Sequence, residues 1–190
     1  MSTPITDPME IKLRDGRRAT IRPIRRDDVA RTAAFIDALS TQSKHALFLG
    51  GIVRLPDAEM QRLCNSHDPH DMAYVATVPT ADGERQIGVC RYAGADSAEG
   101  ADAGMDARGR ATQGAVAEIS VAVADDWQHQ GLGRRLLRRL IEHARAHGVR
   151  RLYSMDAASN DAMRRLARDV GFSEQRDPDD IHQVIYSLQL

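Results

Sequence analysis

The sequence predicts a single mixed α/β domain, and three observations carry that prediction. Its 190 residues suit one compact domain rather than two. With 42% hydrophobic and 28% charged residues, it has the balance of a folded soluble protein and not of a disordered one. Finally, segments of alternating polarity interleave with segments of helical periodicity, and the clearest run reads strand, turn, helix, strand, helix. A chain of this length buries roughly 70% of its unfolded surface, so it needs neither disulfides nor metal to fold. Aromatics make up only 4%, which leaves the core to Leu, Val, Ile, Ala and Met.

The elements follow in order. Glu10–Leu13 and Arg18–Ile24 alternate around Asp15-Gly16, a hairpin signal, after a tail over residues 1–9. Arg26–Leu39 reads as a helix that Asp27 or Asp28 can cap, with Val29, Ala33, Ile36 and Leu39 on one face. A polar turn, Ser40–Ser43, leads into Ala46-Leu47-Phe48-Leu49 and a Gly50-Gly51 break. Pro56-Asp57 opens a short helix to Cys64, Asn65–Asp71 is turn material, and strands Met72–Val78 and Gln86–Tyr92 flank a turn at Asp82-Gly83. Residues Gly94–Gly114 are rich in Gly, Ala and Asp and are expected to form a mobile loop without a role. Ala115–Ala124 is a strand with almost no polar residues beyond Glu118 and Ser120, and Asp125–Gln130 is a turn. From Gly131 a long helix places Leu132, Leu136, Leu137, Leu140, Ile141 and Ala144 on one face and stops at Gly148. Arg151–Met155 is a strand, Ser159 or Asn160 caps a helix to Val170, and Gly171-Phe172 leads into a closing hairpin ending in His182–Leu188.

Several function classes are excluded or disfavoured at this level. The 26 basic and 27 acidic residues nearly cancel, which argues against a dedicated nucleic-acid binder. Cys64 and Cys90 form no CxxC pair, and a reduced, cytoplasmic protein with two inert core cysteines is the expectation. No basic start precedes an apolar run, and no stretch of about 18 apolar residues exists, so neither a signal peptide nor a membrane helix is expected. His143 and His147 lie one turn apart but lack the Glu of a zinc-hydrolase motif, and His67-Asp68-Pro69-His70-Asp71 reads as a turn. No metal is expected.

The segment Gln128-His129-Gln130-Gly131-Leu132-Gly133 sits between an apolar strand and a helix. Glycines there permit a tight turn and close approach of another molecule. The unpaired N–H groups and positive dipole end of the helix suit an anion, and diphosphate is the natural one. A dinucleotide fingerprint would need glycine at Leu136, and a Walker motif would need a lysine that is absent. Taken alone, the hexapeptide could equally be an ordinary glycine turn.

The pattern Gln-x-x-Gly-x-Gly after an apolar strand resembles the acyl-CoA signature of the GNAT superfamily of N-acyltransferases. The run Asn160-x-x-Met163-x-x-Leu166-x-x-x-x-Gly171-Phe172 resembles its second motif, in the right order and context. A closer likeness is to the GNAT domain of bacterial protein lysine acetyltransferases. It rests on Thr20-Ile21-Arg22-Pro23-Ile24-Arg25-Arg26-Asp27-Asp28, Leu39-Ser40-x-x-Ser43, and Ala117-Glu118-Ile119-x-Val121 leading into Asp125-Asp126-Trp127-Gln128. Leu47 stands where those proteins usually have Arg, and they commonly carry a large regulatory domain for which this chain has no room.

The resemblance implies an α/β (α+β) GNAT fold over residues 10–190, a mixed, mostly antiparallel sheet with helices on both faces, splayed where acetyl-CoA enters. It implies that Ile119, Val121 and Val123 pair through their backbone with the pantetheine arm. Gln128, His129, Gln130, Gly131, Leu132, Gly133 and Arg134 would then wrap the diphosphate. Arg138 and Arg139 read as a solvated face, and Asn160 is either a CoA contact or simply a helix cap. Many relatives carry a Tyr, one position after the Leu of the second motif, that protonates the leaving thiolate; here that position is Ala167.

Glu118 is the candidate general base, a carboxylate inside an otherwise apolar strand. The alternative is a structural Glu paired with an arginine such as Arg91. Neutralising a lysine amine at pH 7 costs roughly 4 kcal/mol, so a positioned base is useful. The expected activity is direct acetyl transfer from acetyl-CoA to a primary amine, a protein lysine in the favoured reading. A small-molecule amine stays open as acceptor, as do a non-catalytic acyl-CoA sensor on the same fold and a homodimer.

Overall fold

The computed structural model describes residues 7–48, 56–68, 70–94 and 116–190. The chain runs β1 (Met9–Lys12), β2 (Arg18–Pro23), α1 (Val29–Ala38), α2 (Thr41–Phe48), α3 (Asp57–Cys64), β3 (His67–Asp68), β4 (Asp71–Thr80) and β5 (Gly83–Gly94). It continues through β6 (Val116–Val123), α4 (Leu132–Ala146), β7 (Arg151–Ala157), α5 (Asp161–Val170), β8 (Ser173–Arg176) and β9 (Gln183–Gln189). Eight strands form one sheet in the order β1-β2-β4-β5-β6-β7-β9-β8, and the two-residue β3 pairs with β4. Every neighbouring pair is antiparallel except β6–β7.

That parallel pair is the feature that shapes the molecule. Its register covers only Val116↔Arg151, Ala117↔Leu152 and Glu118↔Tyr153, although β6 runs on to Val123 and β7 to Ala157. Beyond Glu118 and Tyr153 the two strands part, so the sheet opens as a wedge. From Glu118 to Val123 this open edge is about 17 Å long at about 3.3 Å per residue.

The amphipathic face of α4 drives its packing. Leu132, Leu136, Leu137, Leu140, Ile141 and Ala144 are all buried, as their spacing predicts. Gly148, with φ +82°, takes the left-handed conformation that ends the helix. Of the two candidate caps, Asn160 is the one that caps α5, its Oδ1 accepting from the Met163 amide at 3.0 Å.

The structure departs from the expectations in five places, the first being the core, where the fully buried Tyr74, Tyr92 and Tyr186 join the aliphatic side chains that the sequence predicts. Thr41–Phe48 is a helix, whereas the sequence predicts a turn at Ser40–Ser43. His67–Asp68 forms a short strand inside the expected turn Asn65–Asp71. In α1 the buried positions are Thr32, Phe35 and Ile36, and Asp28 does not cap the helix with its side chain. Instead Asp28 is fully buried and accepts from Arg22 Nη1 at 2.7 Å, Arg22 Nη2 at 2.9 Å, the Arg25 amide at 2.8 Å and Arg31 Nη1. Arg139 is no part of a solvated face: it is buried, donates to the Asp7 carbonyl at 3.0 Å and sits over the Tyr74 ring. The expected loop lies outside the described residues except for Gly94, which ends β5.

Candidate functional site

The two faces of β6 are separated by strand alternation. Cys90 Sγ donates to the Leu136 carbonyl of α4 at 3.5 Å, so Cys90 and its cross-strand partner Val121 point toward α4. Ile119 and Val123 share that face, while Glu118 and Ser120 point the other way, where α2 lies against β6. Within the sheet plane, the Ala124 amide donates to the Ile87 carbonyl of β5 at 2.9 Å. By alternation the backbone groups of Ile119, Val121 and Val123 are turned toward the β7 side, and hence into the wedge. An extended chain entering there finds strand edge on offer, as a strand would.

At the wide end of the wedge, β6 runs through a 3-10 turn (Asp125–Trp127) into the glycine loop. Gly131 has φ +82°, a conformation that any side chain would strain, and His129 has φ +61°. The first intrahelical bond of this turn joins the Arg135 amide to the Gly131 carbonyl at 3.3 Å. The amides of Leu132, Gly133 and Arg134 therefore have no helical acceptor. Gly133 lets α4 start close to α5, since a Cβ there would stand 3.3 Å from Leu166 Cδ2. Arg134 Nε is buried with no hydrogen-bond partner among the described residues. Orphan amides, a positive dipole end and an unsatisfied guanidinium nitrogen fit a diphosphate.

Not every residue named for this loop is available through its side chain. Leu132 is buried in the core and can offer only its amide. The Gln130 carbonyl accepts from the Arg14 amide at 3.3 Å. Gln128 Nε2 reaches Ser43 Oγ at 3.1 Å, the Val123 carbonyl at 3.2 Å and Asp125 Oδ1 at 3.3 Å, which braces the loop from within. Asn160 uses both ends of its amide internally, capping α5 and donating to both Asp156 oxygens at 3.1 Å.

Other residues at the loop carry no local sequence signal. The β1–β2 hairpin folds over it: Arg17 lies 3.6 Å from the centre of the Trp127 ring and donates to the Asp126 carbonyl at 3.1 Å. Arg14 Nε stands 3.8 Å from where a Cβ of Gly131 would be. Asp125 accepts from the Ser40 amide at 2.9 Å, Ser40 Oγ at 2.8 Å and Ser43 Oγ at 2.7 Å. Burial alone would raise the Asp125 pKa, but these bonds hold it below the ordinary value. Two segments of the quoted resemblance, Leu39-Ser40-x-x-Ser43 and Asp125–Gln128, thus meet in space, and α2 is tied to the loop.

Glu118 stands at the narrow end of the wedge, half-buried, on the last β6–β7 pair. The arginine of the structural alternative is committed elsewhere: Arg91 binds Asp71 through Nε to Oδ1 at 2.8 Å and Nη2 to Oδ2 at 2.6 Å. No described residue hydrogen-bonds the Glu118 carboxylate. Burial raises its pKa above the ordinary glutamate value, and the Arg91 charge offsets part of that. Tyr153 faces Glu118 across the pair, and burial first, then the Glu118 charge, raises its pKa too. Both cysteines are buried with raised pKa values, Cys90 the more strongly, which makes them poor nucleophiles. Among the described residues, no helix is long and apolar enough to cross a membrane.

The Acetyltransferase (GNAT) family model matches residues 36–172. The chain belongs to the GNAT acetyltransferase family. Acetyltransferase PA5475 of Pseudomonas aeruginosa is 42% identical over 179 residues, 94% of this chain and 87% of that protein. The crystal structure of the GNAT domain of S. lividans PAT matches with a TM-score of 0.78 at 27% identity, covering 96% of this chain and 97% of that one. The Salmonella typhimurium protein yncA, solved with acetyl-CoA, shares the fold with a TM-score of 0.65 at 21% identity, over 90% of this GNAT chain and 94% of its own.

Proposed function

We propose that this GNAT acetyltransferase moves an acetyl group directly from acetyl-CoA to a primary amine on a protein lysine, with Glu118 as general base. The observation that carries the reading is the position of Glu118, at the apex of a wedge whose mouth is the Gly131 loop. In this reading the diphosphate sits on the amides of residues 132–134 with Arg134 beside it. The pantetheine arm pairs with the edge at Ile119, Val121 and Val123, and the thioester reaches Glu118. The likeness to the S. lividans PAT domain supports a protein lysine as acceptor.

The chemistry follows from the side chain's surroundings. A half-buried carboxylate without a hydrogen-bond donor holds protons more tightly than one in water, which makes it a stronger base. It takes a proton from the lysine ammonium, and the neutral amine then attacks the thioester carbonyl.

Glu118→Gln tests the reading. Turnover on lysine-bearing proteins should fall about 10²–10⁴-fold near pH 7 with acetyl-CoA affinity unchanged. The deficit should shrink as pH rises toward the amine's own pKa of about 10.4, because the substrate then arrives neutral. Parental activity of the variant near pH 7 excludes the general-base role. A parent that binds acetyl-CoA yet acetylates no amine or protein is a sensor.

A further inference from the structure

Acetyl transfer leaves a thiolate, and the residues assigned so far give the sulfur no hydrogen-bond donor. Ala167, where the resemblance implies a tyrosine, offers only a methyl group buried in the core. The apex of the wedge holds another candidate. Glu118 and Tyr153 are partners in the last pair of the parallel ladder, and partners in such a ladder point to the same face. The preceding pair, Ala117 and Leu152, is fully buried on the α4 side. Glu118 and Tyr153 therefore both stand on the α2 side, one on each strand, where the strands part. Tyr153 is half-buried, and no described residue hydrogen-bonds its hydroxyl.

We propose that the Tyr153 hydroxyl donates a hydrogen bond to the CoA sulfur as the thioester breaks, from the strand opposite the base. This rests on the reading that acetyl-CoA lies along β6 with its thioester at Glu118. The amine nitrogen attacks the carbonyl carbon, the C–N bond forms, and the C–S bond breaks with its electron pair leaving on sulfur. Glu118 passes the ammonium's first proton to solvent, then takes the nitrogen's remaining surplus proton and releases it the same way. The thiolate is held by the Tyr153 O–H until it takes a proton from water. Tyr153 keeps its own proton throughout, because burial and the Glu118 charge push its pKa up, away from that of a thiol near 8.5. The other hydroxyl on this face of β6, Ser120, is exposed and belongs to the base's own strand.

Calorimetry on the whole chain with CoA and desulfo-CoA tests this without knowing the acceptor. Above the thiol's pKa, Tyr153→Phe should lose about 10–100-fold in CoA affinity and nothing in desulfo-CoA affinity, the scale of a hydrogen bond to a charged group. Equal losses for both ligands, or parental CoA affinity, overturn the proposal. The same selective loss in Ser120→Ala, with Tyr153→Phe unaffected, overturns it as well. A parent that fails to bind desulfo-CoA overturns the cofactor reading itself, a distinct outcome. Should Tyr153→Phe not fold, the thiolate absorbance of CoA bound to Glu118→Gln decides: a bound thiol more acidic than that of free CoA supports the donor, and one as acidic or less overturns it.

Discussion

Asp28 and Glu118 are both carboxylates withdrawn from water, and their surroundings could hardly differ more. Asp28, with no exposed surface, receives the Arg22 fork, the Arg25 amide and Arg31. Arg22 reaches on to Glu84 at 2.7 Å, so the network is anchored between β2, the start of α1 and β5. Burial would raise the Asp28 pKa, but the Arg22 and Arg25 bonds and the Arg22 and Arg31 charges lower it instead. Glu118 keeps more exposed surface, yet burial raises its pKa, since no described donor opposes it and the Arg91 charge offsets only part. A saturated carboxylate holds structure together, whereas an unsaturated one at a wedge can accept a proton. Depth of burial does not separate these two cases; the number of donors does.

The largest expected effect lies on the saturated side of that comparison. Asp28→Asn leaves Arg22 buried beside a neutral amide and should cost about 3–5 kcal/mol, the usual penalty for breaking a buried pair from one end. Urea unfolding of parent and variant measures it. The lowered pKa means that Asp28 contributes stability above the ordinary aspartate pKa of 3.8, and that this is lost as pH falls through its folded value. The difference between parent and variant should therefore narrow only at strongly acid pH.

A second group provides a test at milder pH. His143 is buried beneath His147, with ring centres 3.9 Å apart, and its Nδ1 lies 2.9 Å from the Tyr92 hydroxyl. The Tyr74 ring and Arg139 complete its surroundings. Burial, then His147 and Arg139, lower its pKa from 6.5 to about 4. A depressed histidine stabilises the fold fully above pH 6.5, and that contribution is lost as pH falls toward 4, on the order of 3 kcal/mol. His143→Leu should lower stability at pH 7 and flatten this pH dependence. An unchanged slope between pH 6.5 and 4 would show that His143 does not titrate as described.

The wedge mouth should respond less in stability but visibly in binding. Gly131→Val forces a β-branched residue to φ +82° and should cost about 1–2 kcal/mol in the fold. It also displaces the amides of residues 132–134, so acetyl-CoA affinity measured by calorimetry should drop severely in protein that still melts cooperatively. Unchanged affinity would remove the diphosphate from this loop.

Much of this site is legible in the sequence because its parts are local. Gly131 and Gly133, the apolar stripe of α4, the Asn160 cap and the single acid in an apolar strand each show within a few residues. What stays hidden depends on distance. Arg17 meets Asp126 from 109 positions away, and Ser40 meets Asp125 from 85, so neither contact leaves a local pattern. Helix α2 hides behind Ser40 and Ser43, which read as turn formers yet serve Asp125. Arg139 reads as solvated among Arg134, Arg135 and Arg138, because a charge count says nothing of which face of the helix Tyr74 occupies. The pairing of Glu118 with Tyr153 needs the register of a parallel ladder whose strands are separated by a whole helix.

The smallest expected effect is the most discriminating, because its sign opposes that of Asp28→Asn. A carboxylate whose pKa is raised in the fold binds protons more tightly there than in the unfolded chain. Stability then falls as pH rises from the ordinary glutamate pKa of 4.5 through the folded value, and ionised Glu118 weighs against folding at pH 7. Glu118→Gln removes that charge while keeping the volume. Its melting temperature at pH 7 should equal the parent's or exceed it slightly, while near pH 4 the advantage disappears. Had Glu118 been a structural acid paired with Arg91, the same change would lower the melting temperature at pH 7. Arg91 is already held by Asp71 at 2.6 Å, so that outcome is not expected. Melting curves at the two pH values, read beside turnover, therefore show whether this acid serves the fold or the reaction. A variant that is both less stable and less active at pH 7 would return Glu118 to the class of Asp28.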